Sequence, residues 1–188
     1  MSRRGFTLIE MLVVVIIIGA LIAIGLPQYY RTVYRSRNVQ LKEAVATVAS
    51  AQRAYHLKYG KYAADFKELE ISMPGFSSVK TGINSLEPTC SLVTPGNESI
   101  IRSDDVYIVL NGKSTELSTL LGVISVYSKG PYKCAGIKIL IGTHPIQERD
   151  TMYCSELSKI TNKGSFCKKI ETTKSLVSSA SGNYHYSY

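Results

Sequence analysis

Arg3-Arg4-Gly5-Phe6-Thr7-Leu8-Ile9-Glu10, running into an apolar stretch that reaches Leu26, decides the fold of this chain. As a helix, the segment from Phe6 to Leu26 would be about 31 Å long at 1.5 Å per residue, which matches one crossing of a bilayer's hydrocarbon core. A single carboxylate, Glu10, interrupts it. A charge at mid-bilayer depth costs about 2.5–3.5 kcal/mol on insertion scales, so it needs a partner. A lone helix offers only Arg3 and Arg4. A cut between Gly5 and Phe6 would remove both guanidiniums and create an ammonium at Phe6, about one helical turn from Glu10. That ammonium and Glu10 can pair within one chain or between neighbours.

The pattern resembles the prepilin signature of type IV pilins and type II secretion pseudopilins. The matching string is Arg4-Gly5-Phe6-Thr7-Leu8-Ile9-Glu10-Met11-Leu12-Val13-Val14, followed by Gly19 and by Pro27-Gln28-Tyr29. The resemblance is strong over roughly the first sixty residues and weak beyond them. It implies cleavage after Gly5, N-methylation of the new terminal Phe6, and a role for Glu10 in filament assembly. The partners it implies are a prepilin peptidase/methyltransferase, an inner-membrane assembly platform, and other pilin or pseudopilin subunits in a homo-polymer.

Two positive charges precede the apolar run, so by the positive-inside rule the start stays cytoplasmic and the rest is translocated. The expected location is the bacterial inner membrane, as a single-pass protein, and then a surface pilus or a periplasmic pseudopilus. A cleaved secretory signal fits less well, because the run is too long and continues into a helical pattern. The 188 residues carry a formal charge of +8, which falls to +6 without Arg3 and Arg4. A basic surface can meet DNA or anionic lipids, but the scattered Lys and Arg favour a solvated surface.

The reading divides the chain into a leader (1–5), a membrane and assembly helix (6–26), an amphipathic continuation of that helix (27–60) and a globular part (61–188). Leu41, Val45, Val48, Gln52, Tyr55 and Tyr59 recur at steps of four and three, on one helix face. Pro27 would remove a backbone hydrogen bond and kink the helix, and Gly60 sits where a left-handed residue would end it. Tyr29, Tyr30 and Tyr34 suit an interfacial aromatic belt.

Asp65-Phe66-Lys67-Glu68 reads as a capping box opening a short helix that Pro74-Gly75 closes. Ser77 to Pro95 reads as irregular. Val106–Leu110 is an expected strand with a hairpin turn at Asn111-Gly112. Leu120–Tyr127 and Ile137–Ile141 supply further β-rich runs, separated by Gly130-Pro131, and Tyr184–Tyr188 alternates as a strand does. The expected fold class is α+β: a long N-terminal helix packed on a mostly antiparallel sheet.

Cys90, Cys134, Cys154 and Cys167 can pair in three ways. No C-x-x-C spacing or nearby histidine suggests zinc, and an oxidising compartment favours two disulfides. The pairing expected is Cys90–Cys134 and Cys154–Cys167, the second closing a C-terminal loop. That loop holds one acid, Glu156, beside Lys159 and Lys163. Major pseudopilins resembled here often hold calcium in an acidic loop, and calcium needs six to eight oxygens, so the composition favours a pilin over a pseudopilin.

Neither a nucleophile elbow nor a phosphate-cradling glycine loop nor His-Glu-x-x-His occurs, and His56, His144 and His185 lack an obvious nucleophile partner. No cofactor, metal or enzymatic activity is expected. The reading is a structural subunit of a type IV pilus. The alternatives are a type II secretion pseudopilin, or a minor tip pilin that binds DNA or a surface.

Overall fold

A computed structural model of the chain describes residues 6–79, 99–111, 122–142, 147–157, 164–171, 173, 175–180 and 183–188. Its first element is a single helix, α1, Leu8–Tyr59. Leu, Ile, Val and Ala dominate its first half, and four-three spacing of apolar residues sustains the second. Gly60 ends it in the left-handed region (φ 69°), with its N–H donating to the His56 carbonyl at 2.8 Å. Glycine reaches this conformation without the Cβ penalty that other residues meet there. The helix continues through Pro27.

The chain forms two compact units, Met1–Arg37 and Asn38–Tyr188. In the first, every described side chain from Phe6 to Thr32 is exposed, and one stretch has a mean hydropathy of 2.9. Water is a poor solvent for such a surface, so lipid or apolar protein must cover it.

The second unit joins the helical segment from Asn38 onward to an eight-stranded sheet. The strands are β1 (Ser77–Val79), β2 (Ser99–Arg102), β3 (Val106–Asn111), β4 (Gly122–Tyr127), β5 (Gly136–Leu140), β6 (Met152–Leu157), β7 (Leu176–Ala180) and β8 (Asn183–Ser187). Their order is β1-β2-β3-β4-β5-β6-β8-β7, and every pair is antiparallel. The α+β expectation therefore holds.

Alternation assigns the two faces of the sheet. Tyr127 donates from its hydroxyl to Asn38 Oδ1 at 2.6 Å, so Val123, Ser125 and Tyr127 look toward the helix. Leu41, Val45, Val48, Ala49 and Gln52 are buried in this unit. Gln52 is held by two 2.9 Å bonds to the Ala63 backbone, one donated and one accepted. Ile100, Val109, Ile124, Val126 and Cys134 form a second buried cluster, with Tyr107 packed against it. By register, its β2–β4 members lie on the opposite face. β4 and β5 are buried at every position, as strands covered on both faces are. Gly136 permits their close approach: a Cβ there would sit 1.8 Å from the Ser125 carbonyl oxygen.

Three local expectations are corrected. Phe66–Leu69 is one turn of 3-10 helix, capped by Asp65, whose carboxylate accepts from Lys67 N–H. It ends at Glu70 in the left-handed region (φ 52°) rather than at Pro74-Gly75. Glu68 reaches back to Ala64 N–H, one residue earlier than a standard box requires. Asn111 pairs with Gly122, so residues 112–121 connect β3 to β4 and a two-residue turn at Asn111-Gly112 is excluded. Ser77–Val79, at the start of the supposedly irregular stretch, pairs with β2. Residues 80–95 lie outside the described residues.

Lys138 is the anomaly of the sheet. It is paired in register with Ile124 and Tyr153 on the face away from the helix, and it donates to Gln147 Oε1 at 3.3 Å. Burial lowers its pKa from 10.5 to about 8. The folded protein binds this proton more weakly than the unfolded chain, so the buried ammonium opposes folding below pH 8. That penalty fades as pH rises from about 8 toward 10.5. Lys138→Met is therefore expected to stabilise the protein at pH 7 by about 1–3 kcal/mol. In urea unfolding, the gap between variant and wild type should narrow by pH 10. A destabilised variant at pH 7 would contradict this.

Candidate functional site: the head of the apolar helix and the domain that carries it

Phe6 and Thr7 precede the first helical residue, Leu8. Thr7 caps the helix. Glu10 accepts at Oε2 from the Thr7 backbone N–H (2.8 Å) and from the Thr7 hydroxyl (2.6 Å), while Glu10 N–H points at Thr7 Oγ1 (3.4 Å). This is the reciprocal capping box of Thr-x-x-Glu. It corrects the expectation that Glu10 has no partner in a lone helix except Arg3 and Arg4. The signal stood in the sequence as Thr7-Leu8-Ile9-Glu10, obscured by attention to charge alone. The carboxylate also sits in the first turn, where the helix dipole favours negative charge. Phe6 is 73% exposed. Gly5 lies outside the described residues.

In the second unit, Cys154 and Cys167 are joined by a disulfide, with a Cα–Cα distance of 5.7 Å. Cys134 is disulfide-bonded as well, and its expected partner, Cys90, lies outside the described residues. Glu156 has a role that sequence reading missed. It is fully buried and accepts backbone N–H bonds from Gly164, from Phe166 (3.3 Å) and from Cys167 (3.1 Å). The Tyr186 hydroxyl donates to it at 3.3 Å. Burial, followed by the Glu156 charge, pushes Tyr186 up to about 12, so its proton stays in that bond. The single acid of the loop is thus its internal anchor, and both of its oxygens are occupied. Among the described residues no group of three or more His, Cys, Asp or Glu is placed to hold a metal ion.

The aromatic C-terminus packs inward. Tyr186 is fully buried, and the Lys42 ammonium lies 4.0 Å from the Tyr188 ring centroid. Burial, then the Glu171 charge, raises the pKa of Tyr188. Glu171 also forms an ion pair with Lys42 and accepts from Asn38 Nδ2 at 2.6 Å. These contacts tie the helical segment to the chain's end.

His185, for which the sequence shows no obvious nucleophile partner, meets a serine across the sheet. Ser155 Oγ lies 2.7 Å from His185 Nδ1 across β6 and β8. Ser155 is fully buried, so no substrate reaches it and the pair serves as a cross-strand tie.

The prokaryotic N-terminal methylation motif matches residues 1–26. The chain is 37% identical over 61 residues to the type IV major pilin protein PilA of Myxococcus xanthus (strain DK1622), covering 32% of this chain and 28% of that protein. It is 33% identical over 75 residues to a type IV major pilin protein PilE1 of Neisseria gonorrhoeae, covering 38% of this chain and 44% of that one. The matches therefore span less than half the length of these curated relatives. No solved structure matches the chain. The helix-and-sheet architecture defines a pilin-like α+β protein. The motif and the pilin matches support the type IV pilin family.

Proposed function

We propose that this chain is a structural subunit of a type IV pilus, made as a prepilin and held in the inner membrane until it polymerises through its N-terminal helix. The observation that carries the reading is the motif at residues 1–26: Gly5 and Phe6 stand before a single carboxylate at the head of an exposed apolar helix. In this reading a prepilin peptidase cuts after Gly5 and the new amine of Phe6 is methylated. Glu10 sets the register in which the apolar helices pack, much as one buried polar group fixes coiled-coil pairing. The helix around Pro27, where the Ala23 carbonyl lacks its usual donor, can yield when a subunit leaves the membrane. The globular part lies beyond the membrane in an oxidising compartment, with Cys90–Cys134 as its second disulfide.

The partners are copies of the chain, other pilins, the processing enzyme and an inner-membrane assembly platform. Internal bonding of Glu156 leaves the C-terminal loop no carboxylate to offer calcium, which supports the pilin reading over the pseudopilin one. No observation favours a tip subunit that binds DNA. Fractionation of cells tests the proposal. The chain should occur both in alkali-resistant membranes and in fibres sheared from the surface. Cross-linked multimers that never appear in sheared material would shift the reading to a pseudopilus. A wholly soluble chain would overturn it.

A further inference from the structure

The eight strands form one open sheet, and its outermost members, β1 and β7, each have a strand on one side only among the described residues. At the usual strand spacing the two edges stand about 34 Å apart, so one chain cannot close them on itself. An open edge presents a row of backbone N–H and C=O groups to any strand that meets it. Proteins that must stay single block such edges with charge, especially lysine, or with proline. Neither device occurs within Ser77-Ser78-Val79 or within Leu176-Val177-Ser178-Ser179-Ala180. The register of β7 is irregular between Leu176 and Ser178, which leaves Ser178–Ala180 as its regular run. That run is as long as the whole of β1.

Strand direction says which edge meets which. Every neighbouring pair is antiparallel and the strands number eight, so β1 and β7 run in opposite directions. Two copies side by side in one orientation would bring β7 of the first antiparallel to β1 of the second. The alternation of the sheet would then cross the junction unbroken. Copies inserted from the same side of a membrane share that orientation. Pairing β7 with β7 would need a two-fold axis across the sheet, which reverses one copy and closes the pair as a dimer. A β7–β1 contact is heterologous, so each copy keeps one edge for the next, as an open fibre requires.

We infer that β7 of one subunit takes β1 of a neighbouring copy as an added strand in the assembled fibre, through backbone hydrogen bonds. The inference rests on the reading of the chain as a polymerising subunit. So short a pairing holds little by itself, so the junction adds to the packing of helices and fixes how neighbouring globular units meet.

In the test, half-buried Phe76, next to β1, is replaced by its photoreactive benzophenone analogue in cells that make only that chain. Fibres are sheared, irradiated and digested with trypsin. The label should be joined to the peptide Ser175–Tyr188 of another copy, which contains β7. Irradiated membrane-held monomer should lack that product. Leu176→Lys provides the second arm, because Leu176 is 37% exposed and the ammonium would stand at the edge strand. It should leave insertion and the urea midpoint near wild type and remove most of the sheared fibre. Fibres whose label maps only elsewhere, or a lysine variant with wild-type fibre yield, would overturn the inference while leaving the pilus reading intact. A wild-type chain that forms no multimer would overturn both.

Discussion

Glu10→Ala is expected to leave the subunit inserted in the membrane and to remove most of its incorporation into fibres. The substitution makes the helix more apolar, so insertion should not suffer. In a packed bundle of such helices, however, the Phe6 ammonium of a processed subunit would lose its counter-charge. Leaving one member of a buried ion pair uncompensated costs about 3–5 kcal/mol, equivalent to about two orders of magnitude or more in association. The capping box adds a control. Glu10→Gln can still accept from Thr7, since glutamine serves the same cap, but it carries no charge. If charge sets the register, the glutamine variant should assemble as poorly as the alanine variant. If the helix start is what matters, it should assemble like wild type. The readout is sheared or cross-linked multimer relative to membrane-held monomer, in cells that make only the variant.

Glu156→Ala is expected to be the most damaging change in the globular unit. Three backbone N–H groups and the Tyr186 hydroxyl would lose their acceptor within a buried site. Each orphaned buried group costs about 1–3 kcal/mol, so about 3–5 kcal/mol in total is a conservative expectation against a domain stability of about 5–15 kcal/mol. Removing the Cys154–Cys167 bond by a double serine substitution should cost about 3 kcal/mol through chain entropy. The two changes should combine to less than their sum, because both loosen the same loop. Urea unfolding of the full chain in detergent, followed by the near-ultraviolet signal of its tyrosines, measures both. A Glu156→Ala midpoint within about 1 kcal/mol of wild type would show that the loop is held by other contacts.

What was legible in the sequence followed from periodicity and from residues with few conformational options. Helix α1 could be read almost to the residue, because an apolar run, a four-three stripe and a terminal glycine all pointed the same way. Val106–Leu110 and Ile137–Ile141 announced themselves as β-rich runs and form β3 and β5 to within one residue. Strands β2, β6 and β7 were not foreseen. Met152–Leu157 and Leu176–Ala180 are short and mixed in polarity; β6 pairs with β8 through contacts distant in sequence, whereas β7 meets β8 locally, with Ala180 opposite Asn183 and an irregular register at Leu176/Ser178. The hairpin at Asn111-Gly112 failed because local turn preference gave way to a register that joins Asn111 to Gly122.

The candidate site was legible in its charges and opaque in its hydrogen bonds. Gly5, Phe6 and Glu10 stand out by spacing, while the Thr7 cap uses a motif that the apolar context hid. Glu156 was read as a deficient calcium ligand because the sequence shows its charge and not the three N–H groups folded around it. Lys138 gave no warning. Nothing in Gly-Ile-Lys-Ile-Leu says that both faces of its strand are covered.

The mass of the N-terminal peptide from subunits in sheared fibres decides whether this chain is a processed pilus subunit. A processed pilin subunit should begin at Phe6, lack Met1 to Gly5 and be one methyl group heavier at its amine. Assembled subunits that retain Met1 to Gly5 would contradict it.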